Sequence, residues 1–233
     1  MLKSDIAAAT DTLATTGWLA GTPQDFRDCV LANCQWRRFA AGQSISHGGD
    51  ADGSPIGIAR GSATITTVVG RADTPIIHIM HAGTWFGYMP LFVPDRVVSV
   101  VARTDSVLAI LPQRLFEGML ARRPEWWRHA GQLPAMQLAT ALGVIADLTI
   151  RDSHERCAAA LLQLSEQRLD DGRCTVDHEV CLSQQELAAI ANLSRTSVSA
   201  ILHGFETAGL IEIGYRAIVI KQPAKLRAIA EAE

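Results

Sequence analysis

The chain has 233 residues, of which 48% are apolar, and a formal net charge of −3 at pH 7. This composition supplies enough apolar residues for a folded core, and the absence of 18 consecutive apolar residues argues against a membrane span. The slight acidity does not indicate a nucleic-acid partner, but it does not exclude one, because phosphate contacts need only a local basic patch. The start, Met1–Asp5, has an early acid and no long apolar core, so it is not typical of a signal peptide and we expect a cytoplasmic protein.

The N-terminal part of the chain changes from a helical to a strand-like pattern near residue 36. Apolar positions within Asp25–Leu31 recur at helical spacing. Beyond them, short runs rich in Val, Ile and Thr are separated by Gly, Pro and Asp, at Ile56–Ile58, Ala63–Val69, Ile76–Met80, Val97–Val101 and Val107–Leu111. Short strands at near-regular spacing with turn residues between them predict a β-sandwich, roll or barrel.

A helical pattern returns after the strands, and Pro134 is predicted to open a long helix that reaches about Asp152. Apolar residues of this helix follow a 4-3-4 spacing: Leu138, Leu142, Ile145 and Thr149. That stripe is typical of a helix that packs on a partner helix, although it is also compatible with packing only on the chain's own β domain. The patterns divide the chain into a β domain over 1–132, a dimerisation helix over 133–153 and a last domain over 154–233.

The last domain opens with a helical stretch over His154–Gln167, and strand candidates follow around Cys174–Val176 and Val180–Leu182. Two capped helices come next. Ser183 and Glu186 are spaced as a capping box, and Asn192 falls between the helices, where positive φ is commonly needed. These features predict a helix-turn-helix.

The second helix of this pair carries the residues expected to read DNA. Ser194 is placed to cap it, and one side is apolar, at Val198, Ile201, Leu202 and Phe205. Its opposite side presents Arg195, Thr196 and Ser199 near the N-terminus, which is the end that enters the major groove. Arg195 is the side chain able to contact both O6 and N7 of guanine. Double-stranded DNA is therefore the predicted partner.

A predicted β-hairpin over Ile211–Ile220, with its turn near Gly214, follows the second helix directly. A hairpin in this position is a wing. Arg216 at its tip, with Lys221 behind it, is expected to contact the sugar-phosphate backbone. The alternative is a plain helical hairpin for protein contact, which the order of cap, turn, polar face and wing does not favour.

Glycines punctuate the β region in a fixed order, within Phe39–Ile45, Gly49–Asp50, Ile56–Ile65 and His81–Gly87. Tight turns between short strands need positive φ or close backbone approach. Followed by a long helix and a winged helix-turn-helix, these segments resemble the Crp/Fnr family (cyclic-AMP receptor protein and fumarate-nitrate regulator) over roughly residues 15–225. The resemblance implies an α+β fold: an N-terminal double-stranded β-helix domain, jelly-roll-like and cyclic-nucleotide-binding-like, a dimerisation helix and a C-terminal winged helix-turn-helix. It also implies a homodimeric transcription regulator on a palindromic operator, with RNA polymerase as a candidate partner.

The resemblance locates a candidate effector pocket at Gly87, Tyr88, Arg96 and Val97. In nucleotide-binding members, a Phe-Gly-Glu turn holds the ribose and a later Arg-Ser/Thr pair holds the cyclic phosphate. Arg96 matches, but Tyr88 replaces the acid and Val97 replaces the hydroxyl. Each buried polar group left unpartnered costs about 1–3 kcal/mol, so cyclic AMP is not expected and the effector is unknown. Arg96 either meets an acidic ligand or pairs with Asp95 or a backbone carbonyl.

Cofactors receive little support from the sequence. The five cysteines are scattered and include no Cys-x-x-Cys pair, and an N-terminal cluster of the kind that holds an iron–sulfur centre is absent. His78, His81 and His129 have the side chain of a haem ligand, but surface or packing roles are favoured. No iron–sulfur cluster, haem or other metal is expected.

Two other functions are alternatives to a transcription regulator. A cupin-like metalloenzyme needs several histidines and a glutamate around one metal, whereas His78 and His81, three apart on a predicted strand, should point to opposite faces. A cyclic-nucleotide-binding-like module that controls a protein partner is the other alternative. The helix-turn-helix favours the regulator over both, because it gives the chain its own output domain, and no enzyme activity is expected.

Overall fold

The computed structural model describes residues 3–67, 76–165, 179–215 and 217–232. Its contacts divide the chain into two compact units, Met1–Gln137 and Leu138–Glu233. In these described ranges, no helix is both long and apolar enough to cross a membrane.

The first unit opens with three helices, α1 (Lys3–Thr15), α2 (Gly17–Ala20) and α3 (Gln24–Ala32). Eight strands follow: β1 (Gln35–Phe39), β2 (Ser44–Ser46), β3 (Ile56–Arg60), β4 (Ala63–Thr67), β5 (Ile76–Met80), β6 (Trp85–Phe86), β7 (Val98–Ala102) and β8 (Ser106–Ile110). They form two antiparallel sheets, in the orders β1-β8-β3-β6 and β2-β7-β4-β5. The predicted β-sandwich or roll is thereby confirmed.

One apolar core lies between the two sheets. Ile58 and Leu108, which face each other across β3 and β8, come from the first sheet, and Met80 and Val100 come from the second. Because side chains alternate along a strand, the neighbouring residues of the first sheet face the opposite way. Its other face is therefore free to pack on helices.

A second apolar core, which includes Trp85, lies between the outer face of the first sheet and the helices. The Trp85 ring lies edge-on to Trp18, with centroids 5.5 Å apart, and Phe26 contacts both Trp18 and Trp126, at 5.7 and 5.3 Å. Aromatic rings prefer such edge-to-face geometry. This cluster fixes the N-terminal helices and the start of the next helical segment on the sheet.

Two helices complete this part of the fold, α4 (Gln113–Arg122) and α5 (Trp127–Leu148). The predicted start of α5 at Pro134 is wrong, because Pro134 lies inside the helix. A proline in a helix interior costs about 3 kcal/mol, and the burial of Ala130 and Leu133 just before it offsets that cost. The predicted end near Asp152 is also wrong, because the Asp152 carboxylate caps the next helix by accepting from two backbone N–H groups.

The second unit holds the remaining elements: α6 (Ser153–Leu164), β9 (Glu179–Val180), α7 (Gln184–Ile190), α8 (Arg195–Thr207), β10 (Ile211–Gly214), β11 (Ala217–Ile220) and α9 (Pro223–Ala230). The strands form one antiparallel sheet in the order β10-β11-β9. The strand candidate at Cys174–Val176 lies outside the described residues, and the one at Val180–Leu182 is the shorter β9.

Candidate DNA-binding surface and effector pocket

The first helix of the helix-turn-helix, α7, is capped as its sequence predicts. The Ser183 N–H donates to the Glu186 carboxylate at 2.7 Å, and the Glu186 N–H donates back to Ser183 Oγ at 3.2 Å. Asn192 in the following turn has φ of 51°, and it is the one described residue other than glycine with positive φ. Local residue chemistry therefore fixes both ends of α7.

The recognition helix α8 is anchored on one side and open on the other. Ser194 Oγ accepts the Ser197 N–H at 3.0 Å and so caps the helix. The predicted apolar side is buried at Val198, Ile201, Leu202 and Phe205. Arg195, Thr196 and Ser199 are exposed near the N-terminus, as expected. The structure thus brings together, on one surface, the residues predicted to meet the groove.

The wing is present as the β10–β11 hairpin, in which Ile211 faces Ile220 and Gly214 faces Ala217. Arg216 lies outside the described residues, between the exposed Tyr215 and β11. Lys221 forms an ion pair with Glu212 at 2.5 Å, which lowers the pKa of the Glu212 carboxyl. Lys221 is therefore paired within the wing, and a contact from Lys221 to phosphate would compete with Glu212.

Glu206 makes a contact at the DNA-binding surface that the sequence did not predict. Its carboxylate accepts the Ile213 N–H at 3.0 Å and so joins the end of the recognition helix to the wing. An acid near a helix C-terminus opposes the helix dipole. That local mismatch is the signal that could have indicated a bond outside the helix.

Arg96 is buried, with 6% of its surface exposed, and is bound to the loop before β3. Its guanidinium donates to the Asp52 carbonyl, and one nitrogen lies 3.8 Å from the Asp52 carboxylate. Burial lowers the pKa of Arg96, against the opposing effects of Asp52 and Asp50. The sequence offered Asp95 or a backbone carbonyl as the partner of Arg96 within the protein. The structure shows a backbone carbonyl, and the nearby carboxylate is that of Asp52 and not Asp95.

The strand predicted at Val97–Val101 begins at Val98, and the loop before β3 holds the Arg96 backbone. Arg96 donates its N–H to the Asp50 carbonyl at 3.1 Å, and the Gly49 N–H donates to the Arg96 carbonyl at 2.8 Å. Val97 next to it is 54% exposed. Val97 therefore does not contribute a buried wall to an effector pocket.

Gly87 is a glycine for a steric reason. Its φ is +90°, and a Cβ there would lie 2.6 Å from the Ser54 carbonyl oxygen and 3.1 Å from Nη1 of Arg96. A side chain at this position would displace the arginine. Gly87 and Arg96 therefore form one packed unit.

Tyr88 is tied to helix α5. Its hydroxyl donates to Gln137 Oε1 at 2.7 Å, and the Gln137 amide donates to the Trp85 carbonyl. The Tyr88 ring is buried within the aromatic core, and burial raises the pKa of Tyr88 to about 12. The resemblance assigns this position to an acid that binds the ligand. Tyr88 instead forms a hydrogen-bonded link between the turn and helix α5.

A cavity of about 360 Å³ opens next to Arg96. Its lining combines apolar side chains, two arginines, two carboxylates, two serines and a glutamine: Gln35, Arg37, Phe39, Ile45, Ser46, Asp50, Asp52, Ser54, Ile56, Arg96, Ile110 and Pro112. Tyr88 and Val97 are not among these residues. The structure therefore does not bring the four predicted pocket residues together, because only Arg96 lines the cavity.

Metal chemistry receives no support from the residues that the structure describes. They contain no group of three or more His, Cys, Asp or Glu side chains able to hold an ion. Strand β5 ends at Met80, so His81 lies in the turn beyond the strand and the predicted opposite-face relationship does not apply. Burial and the nearby His81 lower the pKa of His78 to about 4. Burial also raises the pKa of the Cys34 and Cys157 thiols to about 12, which disfavours the thiolate that binds metals.

Comparison with known protein families finds one match in each of the two units. Residues 36–123 match the cyclic nucleotide-binding domain, and residues 155–229 match the Crp-like helix-turn-helix domain. The cAMP-activated global transcriptional regulator Vfr of Pseudomonas aeruginosa is 27% identical, over 83% of this chain and 92% of Vfr. The HTH-type transcriptional regulator Cmr of Mycobacterium tuberculosis is 29% identical, over 92% of this chain and 84% of Cmr.

Solved structures give the same result. A CRP/FNR-family transcriptional regulator from Thermus thermophilus has a TM-score of 0.64 and 26% identity, over 85% of this chain and 99% of that one. FixK2 of Bradyrhizobium japonicum has a TM-score of 0.72 over 86% of this chain and 98% of its own; at 19% identity it supports the fold alone.

A cyclic-nucleotide-binding-like β domain and a winged helix-turn-helix on one chain define a DNA-binding transcription regulator. The chain belongs to the Crp/Fnr family.

Proposed function

We propose that the chain binds a two-fold symmetric operator as a homodimer and that Arg195 is its principal base-reading side chain. The observation that carries this proposal is the position of Arg195, which is exposed at the first residue of the capped recognition helix. Its guanidinium has no hydrogen bond or ion pair within the described part of the chain. It is therefore free to donate two hydrogen bonds to O6 and N7 of one guanine.

Thr196 and Ser199 are proposed as secondary contacts. The Thr196 hydroxyl lies 2.8 Å from Ser194 Oγ, within the hydrogen-bonded cap of the helix. A contact to DNA would compete with that interaction, whereas the Ser199 hydroxyl has no hydrogen bond among the described residues. Arg216, at the tip of the wing, is proposed to contact phosphate, with support from the position of the turn between β10 and β11.

The proposed dimer seam is the stripe of Leu138, Leu142 and Ile145 on α5. These side chains are 61%, 56% and 59% exposed in the single chain. Large apolar side chains that recur along one helix face and lie open to water favour burial against a second copy. A dimer would also place two recognition helices at half-sites about 34 Å apart.

The sensor pocket is proposed to be altered so that cyclic AMP is not its effector. The Tyr88 hydroxyl is already bound to Gln137, and the Arg96 guanidinium is shared with Asp52. A cyclic phosphate would have to displace Asp52 and would face Asp50 in the same cavity. The identity of any other effector is not part of the proposal.

Because the target is DNA, the proposal includes action in the cytoplasm, with RNA polymerase as a candidate partner of the bound regulator. It assigns no catalytic role to any residue.

The proposal is tested by selecting bound sequences from random double-stranded DNA with the wild type, Arg195→Ala and Arg151→Ala. Arg151 is the matched control, an exposed arginine outside the helix-turn-helix. The wild type and Arg151→Ala should enrich the same two-fold motif, and Arg195→Ala should lose the preference for one guanine in each half. An unchanged motif for Arg195→Ala would overturn the assignment of Arg195 as base reader.

A further inference from the structure

Arg156, on helix α6, binds carbonyl groups from two other segments of the second unit. Its Nε donates to the Ala191 carbonyl at 2.9 Å. Its Nη1 donates to the Ile150 carbonyl and lies 3.3 Å from the Arg151 carbonyl. One side chain thus joins the segment after α5, helix α6 and the end of the first helix of the DNA-binding motif.

Each acceptor is a carbonyl that its own segment leaves open. Ala191 is the C-cap of α7, where the last carbonyls of the helix have no partner within it. A guanidinium there also interacts favourably with the negative end of the helix dipole. Ile150 and Arg151 lie between α5 and α6, outside regular structure, so their carbonyls need a donor from elsewhere.

The start of α6 is fixed independently of Arg156. The Asp152 carboxylate accepts the His154 and Glu155 N–H groups at 2.7 and 3.1 Å, and these bonds lower the pKa of Asp152. The connecting segment is therefore held at one end by the Asp152 cap and along its length by Arg156. Together these bonds hold Ile150 and Arg151 against α6 and hold α6 against the end of α7.

We propose that Arg156 is a positioning residue, which makes Ile150 and Arg151, helix α6 and the C-terminal end of α7 move as one rigid piece. Relative motion between α6 and α7 is then restrained by the bond from Arg156 to the Ala191 carbonyl. In a dimer, this rigidity sets how strictly the two recognition helices select the distance between half-sites. That consequence rests on the proposed homodimer; the rigidity itself does not.

The test compares Arg156→Gln with Arg151→Gln, which removes the same charge from an exposed neighbour whose side chain makes none of these contacts. Affinity is measured for operators with the selected spacing and with one base pair added or removed. The wild type and Arg151→Gln should bind the selected spacing at least about tenfold more tightly than the altered spacings, and Arg156→Gln should lose most of that ratio. A ratio unchanged in Arg156→Gln would overturn the inference.

Amide hydrogen exchange of the free protein provides a readout that needs no dimer. Arg156→Gln should speed exchange at Ile150 and Leu193, whose N–H groups are bonded within the two segments that Arg156 joins. Unchanged exchange would overturn the inference even if the operator results supported a dimer. A wild type with no spacing preference, together with faster exchange in the variant, would contradict the dimer alone. If Arg156→Gln does not fold, Arg156→Lys carries the same test, because a single ammonium group cannot reproduce the planar fork of the guanidinium.

Discussion

The hydroxyl of Tyr88 donates a hydrogen bond to Oε1 of Gln137 at 2.7 Å, across 49 positions of sequence. The Gln137 amide in turn donates to the Trp85 carbonyl, so helix α5 is bound to the backbone of β6 as well as to the turn. In the nucleotide-binding pattern this turn presents an acid to the ligand's ribose. Here the Tyr88 hydroxyl of the turn bonds directly to helix α5.

Tyr88→Phe should destabilise the protein by about 1 kcal/mol, because it leaves the half-buried Gln137 oxygen without its donor while keeping the ring in place. Chemical denaturation monitored by tryptophan fluorescence measures the change. Gln137→Leu should cost more than Tyr88→Phe, because it removes the partners of both Tyr88 and the Trp85 carbonyl. A Tyr88→Phe variant as stable as the wild type would show that the hydrogen bond from Tyr88 to Gln137 contributes nothing to the free energy of unfolding.

Cyclic AMP should not bind at physiological concentration. Arg96 is neutralised in part by Asp52, and Tyr88 offers a hydroxyl that is already bound in place of the acid that accepts the ribose. Isothermal titration calorimetry on protein refolded from denaturant, to remove any copurified ligand, measures the affinity. A micromolar dissociation constant would contradict the proposed alteration of the pocket.

His78 should make stability depend on pH below neutrality. An unfolded histidine takes up a proton near pH 6.5, whereas the pKa of folded His78 is about 4, so acidification favours the unfolded state. The contribution of His78 is complete above pH 6.5 and is lost as the pH falls to about 4, with a slope of at most about 1.4 kcal/mol per pH unit. His78→Asn should have a flatter profile than the wild type over this interval in denaturation at a series of pH values. Parallel profiles would mean that the pKa of His78 does not differ between the folded and unfolded states, which would contradict the lowered value.

Leu142→Glu should convert the dimer to a monomer, because it puts a charge in the middle of the proposed seam. Sedimentation at micromolar concentration detects the change. Ala139→Glu, also exposed on α5 but about a quarter-turn from the stripe, is the matched control and should stay dimeric. A wild type that sediments as a monomer, or a Leu142→Glu dimer, would contradict the seam.

The features that sequence predicted best are those set by residues close together in the chain. Ser183, Asn192 and Ser194 each act within a few positions of themselves, and the caps and the turn of the helix-turn-helix were predicted residue by residue. The fold class followed from strand pattern and glycine spacing for the same reason.

The features that sequence missed depend on distant residues. The sequence predicts a helix start at Pro134, whereas α5 begins at Trp127, because the burial that favours the earlier start depends on the aromatic core of the first unit. The partners of Tyr88 and Arg156 lie 49 and 35 positions away, at Gln137 and Ala191. Long polar side chains can reach many acceptors, so neither pairing has a local signature.

Arg195→Ala should weaken operator binding by about 1–3 kcal/mol per half-site and relax the choice of one guanine in each. Arg216→Ala in the wing should weaken binding to all sequences alike and reduce the salt slope by about one, because its proposed contact is to phosphate. Fluorescence anisotropy on specific and unrelated duplexes at several salt concentrations separates the two effects. An Arg216→Ala variant with altered sequence preference would assign the wing a role in base reading.

The central claim is that this Crp/Fnr-family protein binds a two-fold operator as a dimer without cyclic AMP. Its most direct test is the affinity and stoichiometry of ligand-stripped protein on an operator with both half-sites and on one with a single half-site scrambled. The account predicts two chains per intact duplex, much weaker binding to the scrambled duplex, and no change on adding cyclic AMP. One chain per duplex with equal affinity for both, or binding that requires cyclic AMP, would contradict it.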